Sequence, residues 1–106
     1  MILAMDEMAV EEMRRLSRAA FGQRYRLECM VAIAKSPDGL VSLSELAAEL
    51  SVTPSNLQKP LQSLLDTALI SPMHSGDSRR TYYTRNESLV WDWVVEFASK
   101  AEAFIA

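Results

Sequence analysis

Two leucine stripes set close together between Leu43 and Ile70 constrain this chain more than any other feature. In the first, Leu43, Leu46, Ala47 and Leu50 recur at three- and four-residue steps and so share one face of a helix. In the second, Leu57, Leu61, Leu64 and Leu65 do the same. Only Ser51, Val52 and Thr53 lie between them as a turn, so the two helices have to cross over one core. The stops agree with the stripes. Ser42 and Glu45 have capping-box spacing, in which serine and glutamate satisfy each other's N–H groups. Thr53 is a good cap and Pro54 a good first helical residue. The spacing predicts helices from Ser42 or Ser44 to about Leu50, and from Pro54 to about Thr67.

The flanks read as three more helices and a hairpin. Met5, Met8, Ala9, Met13, Leu16 and Ala20 line one face of a helix over about Met5 to Ala20, with Gly22 as its stop. A second helix, about Gln23 to Lys35, has Leu27, Met30, Val31 and Ala34 on its apolar face. Ser36, Pro37, Asp38 and Gly39 form a strong turn signal, followed by a very short strand at Leu40 to Ser42. Strands at Ile70 to His74 and Arg79 to Thr84 flank a tip of Ser75, Gly76, Asp77 and Ser78. A last helix over about Glu87 to Phe104 carries Val90, Trp93, Val94, Phe97, Ala101 and Phe104. With 106 residues, this is one mainly α-helical domain with a small β-hairpin wing.

That order of elements resembles the winged helix-turn-helix regulators of the ArsR and MarR kind. The resemblance covers about residues 24–85 and is strongest from Leu43 to Ile70. It implies that Ala47 fills the small position where the helices cross and that Leu57 fills the buried position of a recognition helix. Such a helix enters the major groove of double-stranded DNA and reads base edges. By that register Ser55, Asn56, Gln58, Lys59 and Gln62 face outward. Asn and Gln suit adenine edges, and Lys suits guanine or phosphate. Thr53 and Ser55 suit phosphate contacts. The wing would bring Arg79 and Arg80 to a minor groove or its phosphates, with His74 and Arg85 as further candidates. Two residues depart from the family pattern. Ser51 stands where glycine is common, and Pro60 sits inside the recognition helix, where it would clash with the Asn56 carbonyl. A kink or a late start of that helix is the expectation.

The apolar stripes of the first and last helices are long for so small a core. Met5, Met8, Met13, Val90, Trp93, Val94, Phe97 and Phe104 are therefore expected to pair across the two-fold axis of a homodimer. Trp91 and Trp93 stand two apart and cannot share a helix face, so one of them is expected at a subunit interface or a pocket. A pocket there would be the one hint of a small-molecule effector, of unspecified kind. The reading is a sequence-specific regulator, more often a repressor in such families, acting on an inverted repeat.

The charge balance pulls the other way. The net charge is -3, from 11 basic and 14 acidic side chains, whereas nucleic-acid binders usually carry a basic footprint. Its distribution softens the conflict: residues 51–86 carry Lys59, Arg79, Arg80 and Arg85 against Asp66 and Asp77. The acidity and Pro60 support a rival reading, a winged-helix protein-interaction module that does not bind DNA. The single Cys29 and the single His74 lie on separate elements, so no metal site of thiolate type is expected, nor any cofactor. No glycine-rich phosphate loop and no nucleophile with a base partner points to an enzyme. No signal peptide is read at the N-terminus, no apolar run suits a membrane, and one cysteine suits a reducing cytoplasm.

Overall fold

The computed structural model describes residues 7–73 and 81–105, with side chains described through residue 101. Among these residues five helices and three strands follow in the order α1 Glu7–Phe21, α2 Arg26–Lys35, β1 Leu40–Ser42, α3 Leu43–Leu50, α4 Ser55–Asp66, β2 Ile70–Met73, β3 Tyr82–Arg85 and α5 Val90–Ile105. This is the winged helix-turn-helix architecture that the resemblance implied. The strands make one antiparallel sheet in the order β1-β3-β2. The hairpin is therefore not a free wing. Val41 pairs with Tyr83, and Pro72 pairs with Tyr83 from the other side. Pro72 lies on an edge strand, where a missing N–H costs least.

α2 is the hub of the core. The sequence gives it one apolar face, but every residue from Leu27 to Ile33 is buried. α1 and α5 pack on it and on each other, and α3 and α4 pack on it and on each other. Each large apolar side chain so enclosed contributes about 1.5–3 kcal/mol through removal from water. Cys29 is among the fully buried residues, and burial pushes its thiol pKa up to about 12.

The ends of α2 are closed by distant residues. Ser17 of α1, itself buried, accepts a hydrogen bond from the Leu27 N–H at 3.0 Å and donates to the Gln23 carbonyl. The Gln23 amide meanwhile donates to the Ser63 hydroxyl of α4 at 3.0 Å. The segment before Arg26 is thus committed to bridging neighbours, and α2 begins later than its apolar spacing suggests. At the other end, the Arg85 guanidinium donates to the carbonyls of Ile33, Ala34 and Ser36 at 2.8, 3.0 and 3.0 Å. A cation at a helix C-terminus also meets the negative end of the helix dipole. Gly39 makes room for it: a Cβ there would stand 3.1 Å from the Cβ of Arg85, on a backbone with φ of +70°.

The last helix also begins later than expected, at Val90 rather than Glu87. The Ser88 hydroxyl accepts from the Val90 N–H at 3.1 Å and caps it, while Asn86 is engaged elsewhere. Of the residues expected at a dimer seam, Met13 and Val94 are not available. They are 2% and 0% exposed, in the core of the chain itself, because α1 and α5 bury these positions against each other and α2. Met8 and Trp93 are open, at 68% and 45%, and Val90 and Phe97 are half-buried. Trp91 points into the core instead. Met5 and the side chain of Phe104 lie outside the described residues.

Candidate nucleic-acid interface

α3 and α4 meet as the two stripes require. Leu46, Ala47 and Leu50 are buried on α3, and Leu57, Leu61 and Leu64 on α4. Ser42 caps α3, its hydroxyl accepting from the Glu45 N–H at 3.2 Å. The turn closes α3 in a left-handed cap. Ser51 adopts φ 57° and ψ 44°, its N–H donates to the Ala48 carbonyl at 3.3 Å, and the Val52 N–H donates to the Ala47 carbonyl at 3.0 Å. This is a Schellman pattern with serine where glycine fits more cheaply.

α4 opens on a tight first turn. The Asn56 N–H donates to the Thr53 carbonyl and the Leu57 N–H to the Pro54 carbonyl, both at 3.0 Å and both spanning three residues. Pro54 already has helical angles. The expected disruption at Pro60 does not interrupt the helix, which runs through it from Ser55 to Asp66. The ring of Pro60 is buried. Its packing offsets part of the lost bond to the Asn56 carbonyl, a loss that an open face could not recover. The helix ends in a second Schellman pattern. Ala68 has φ of 61°, its N–H donates to the Leu65 carbonyl, and the Leu69 N–H donates to the Leu64 carbonyl.

Between these two turns the outward face of α4 is open. Ser55, Asn56, Gln58, Lys59 and Gln62 are all exposed, and Thr53 is exposed just ahead of them. The Thr53 and Ser55 hydroxyls are 3.2 Å apart. The Gln62 amide donates to the Asp66 carboxylate at 2.8 Å, which fixes its pose one turn up the helix. Gln58, Lys59 and Gln62 line an open groove of about 440 Å³ with Leu43, Leu61, Leu65 and Tyr83. Tyr83 was not among the residues singled out from the sequence. Its signal there is its alternation with Tyr82 and Thr84 along a strand, which separates the two faces but does not say which one meets α4.

The basic part of the candidate site is distributed differently from the expectation. Arg85 is turned inward onto the end of α2 and is not a surface contact. His74, Arg79 and Arg80 lie outside the described residues. Lys59 is exposed and makes no ion pair among the described residues. The arginines of α1 and its following loop are largely engaged: Arg14 with Glu28 at 2.7 Å, Arg15 with Glu12, and Arg24 with Glu11 at 3.3 Å. Among the described residues no three of His, Cys, Asp and Glu are clustered as metal ligands. No described helix is long and apolar enough to cross a membrane.

No family model matches the chain, and no curated protein matches its sequence. Solved structures do share its fold, and the neighbours are MarR family winged-helix regulators. A MarR family transcriptional regulator from Silicibacter pomeroyi superposes with a TM-score of 0.67 at 17% identity, over 92% of this chain and 66% of its own. AbsC, a MarR family transcriptional regulator from Streptomyces coelicolor, gives 0.64 at 15% identity, over 88% of this chain and 65% of its own. Sco3205, a MarR family regulator from the same organism solved in complex with DNA, gives 0.62 at 16% identity, over 89% and 60%. The chain spans less than two thirds of the length of AbsC and of Sco3205.

Proposed function

We propose that this chain is a sequence-specific, DNA-binding transcriptional regulator, a repressor that works as a homodimer on an inverted repeat in the cytoplasm. The observation that carries the reading is the outward face of α4. Five hydrogen-bonding side chains stand open on a helix whose opposite face is locked by Leu57, Leu61 and Leu64. Polar residues on such a face serve no packing purpose, and their types suit base edges and phosphates. The fold is shared with a regulator that was solved on DNA.

A dimer suits the same reading. Met8, Leu89 and Trp93 leave apolar surface open on or beside α1 and α5, with Phe97 stacked 5.0 Å from Trp93 and Phe21 edge-on to it at 6.2 Å. Pairing of these faces would set two copies of α4 about 34 Å apart, one turn of DNA. Trp93→Lys is expected to give a monomer by analytical ultracentrifugation, with weaker DNA binding.

The direct test is retention of sheared genomic DNA by the purified protein across a salt series, with sequencing of what is retained. Salt-sensitive retention that enriches one inverted repeat is the expected result. Lys59→Ala should lower the slope of log affinity against log salt by about 0.9, the loss of one phosphate contact, and the Arg79/Arg80 double alanine by more. Gln58→Ala should instead change which bases are preferred. A second reading, an interaction module for a protein partner, draws on the scarcity of cations: of the described cations from α4 to β3, Lys59 faces outward and Arg85 does not. No retention even at low salt would favour it.

A further inference from the structure

One residue outside the candidate interface ties the end of α4 and β2 to α5. Asn86 follows β3 and precedes α5. Its side-chain Nδ2 donates to the Ala68 carbonyl at 2.8 Å, and its backbone N–H donates to the Leu69 carbonyl at 3.0 Å. Both carbonyls belong to the left-handed turn that ends α4. The same amide straddles the Ser71 hydroxyl of β2, with Nδ2 donating at 2.9 Å and Oδ1 accepting at 3.1 Å. Its own carbonyl accepts from the indole Nε1–H of Trp91 at 2.7 Å. Trp91 is buried on α5.

The packing gives this knot its meaning. α5 lies on α1 and α2, whereas α4 lies on α2, α3 and β2. A rotation or tilt of α5 carries Trp91 with it, and Trp91 is bonded to the residue that holds the end of α4. Resting on the DNA-binding reading above, we propose that Asn86 is a positioning residue for base recognition. It sets the pose of α4 against α5, and so makes the base-reading face responsive to the helix that carries the open aromatic surface. Base contacts depend on angle and fail when the helix is loosely posed. Phosphate contacts carry no sequence information, so their share of the affinity is common to all sequences.

Three variants separate this role from plain stabilisation. Trp91→Phe removes the indole N–H and keeps a ring in the core. Asn86→Asp keeps the shape and an acceptor but withdraws the donor to Ala68. Ser71→Ala removes the third contact without touching the link between α4 and α5, and serves as the control. Each is measured for its ratio of affinity for the retained repeat to affinity for random-sequence DNA, and for amide hydrogen exchange. Trp91→Phe and Asn86→Asp are expected to lower that ratio about tenfold, with random-sequence affinity and salt slope within about twofold of the parent. The Ala68 and Leu69 amides should exchange about tenfold faster, while amides of α2 and Val52 hold their rates. Ser71→Ala should change neither. An unchanged ratio with a loosened α4 terminus would overturn the proposal, as would a uniform rise in exchange across the chain. If the parent protein retains no DNA, the DNA-binding reading fails by itself. The exchange pattern then decides the joint: local loosening upholds it, and unchanged rates overturn it.

Discussion

α2 and α4 lie against each other and are of similar length, 10 and 12 residues, yet they are held in opposite ways. α2 is enclosed from Leu27 to Ile33, and its ends are closed by side chains from far along the chain, Ser17 at one and Arg85 at the other. α4 buries one side only. Its N-terminus opens on its own tight turn, and it ends in a turn built from its last residues, with Asn86 bonded only to the outer carbonyls of that turn. A supporting helix can borrow its caps from the elements packed around it. A helix that must show a face to a ligand is better closed by its own backbone, which keeps neighbouring side chains off that face.

The widest separation between the two helices should come from charge. Glu28 of α2 is buried and accepts from Arg14 of α1 at 2.7 Å, with the Arg14 guanidinium 4.9 Å over the Tyr25 ring. Arg14→Ala leaves that carboxylate enclosed without its partner and is expected to cost about 3–5 kcal/mol by urea unfolding at neutral pH. Burial raises the Glu28 carboxyl above its ordinary pKa, against the pull of Arg14. A carboxyl raised in the folded state contributes stability that is complete below its unfolded pKa and is lost as pH rises through the folded one. Removing Arg14 raises it further, so the deficit of the variant should shrink as pH falls through the carboxylate range. A deficit that is flat with pH would mean that Arg14 acts through packing alone.

A smaller effect tests the borrowed cap. Ser17→Ala should cost about 1–2 kcal/mol, because the Leu27 N–H loses its acceptor in a buried place. Loss of protection confined to the first turn of α2 in hydrogen exchange would support the assignment. Protection unchanged there would contradict it. The smallest effect has the opposite sign. Ala68→Gly should stabilise by about 0.5–1 kcal/mol, since an L side chain in the left-handed region is strained and glycine is not. Ser51→Gly should do likewise, and the two gains should add. Lower melting temperatures in either would show that the turns of α4 are held by more than their backbone.

The same contrast explains what the sequence could reveal. α3 and α4 are legible because what starts, lines and joins them is local: leucines at helical spacing, the Ser42 cap, and a turn of three residues; the bonds of Asn86 and Gln23 to α4 and its last turn are not local and were not legible. The open residues of α4 follow from that register, and all six sequence-derived contacts from Thr53 to Gln62 are exposed. The enclosure of α2 was not legible, because its caps come from 10 residues before Leu27 and from 52 residues beyond Ile33. Arg85 shows the cost of reading charge by position alone. On a strand beside a hairpin tip it looks like a DNA contact, and only the close approach of Gly39 reveals where it goes. Pro60 misleads for a related reason, since a propensity rule cannot see that its ring will be buried.

The enclosure of α2 has a practical consequence. The chain has one thiol, and it sits at the centre of that helix, fully buried and unionised at any ordinary pH. A thiol-specific reagent cannot reach it while the fold is closed. The rate at which a maleimide labels Cys29 is therefore a built-in clock for opening of the core around α2, readable without introducing any probe. Slowing of that clock by DNA, or by a candidate effector, would report binding in protein that has never been altered.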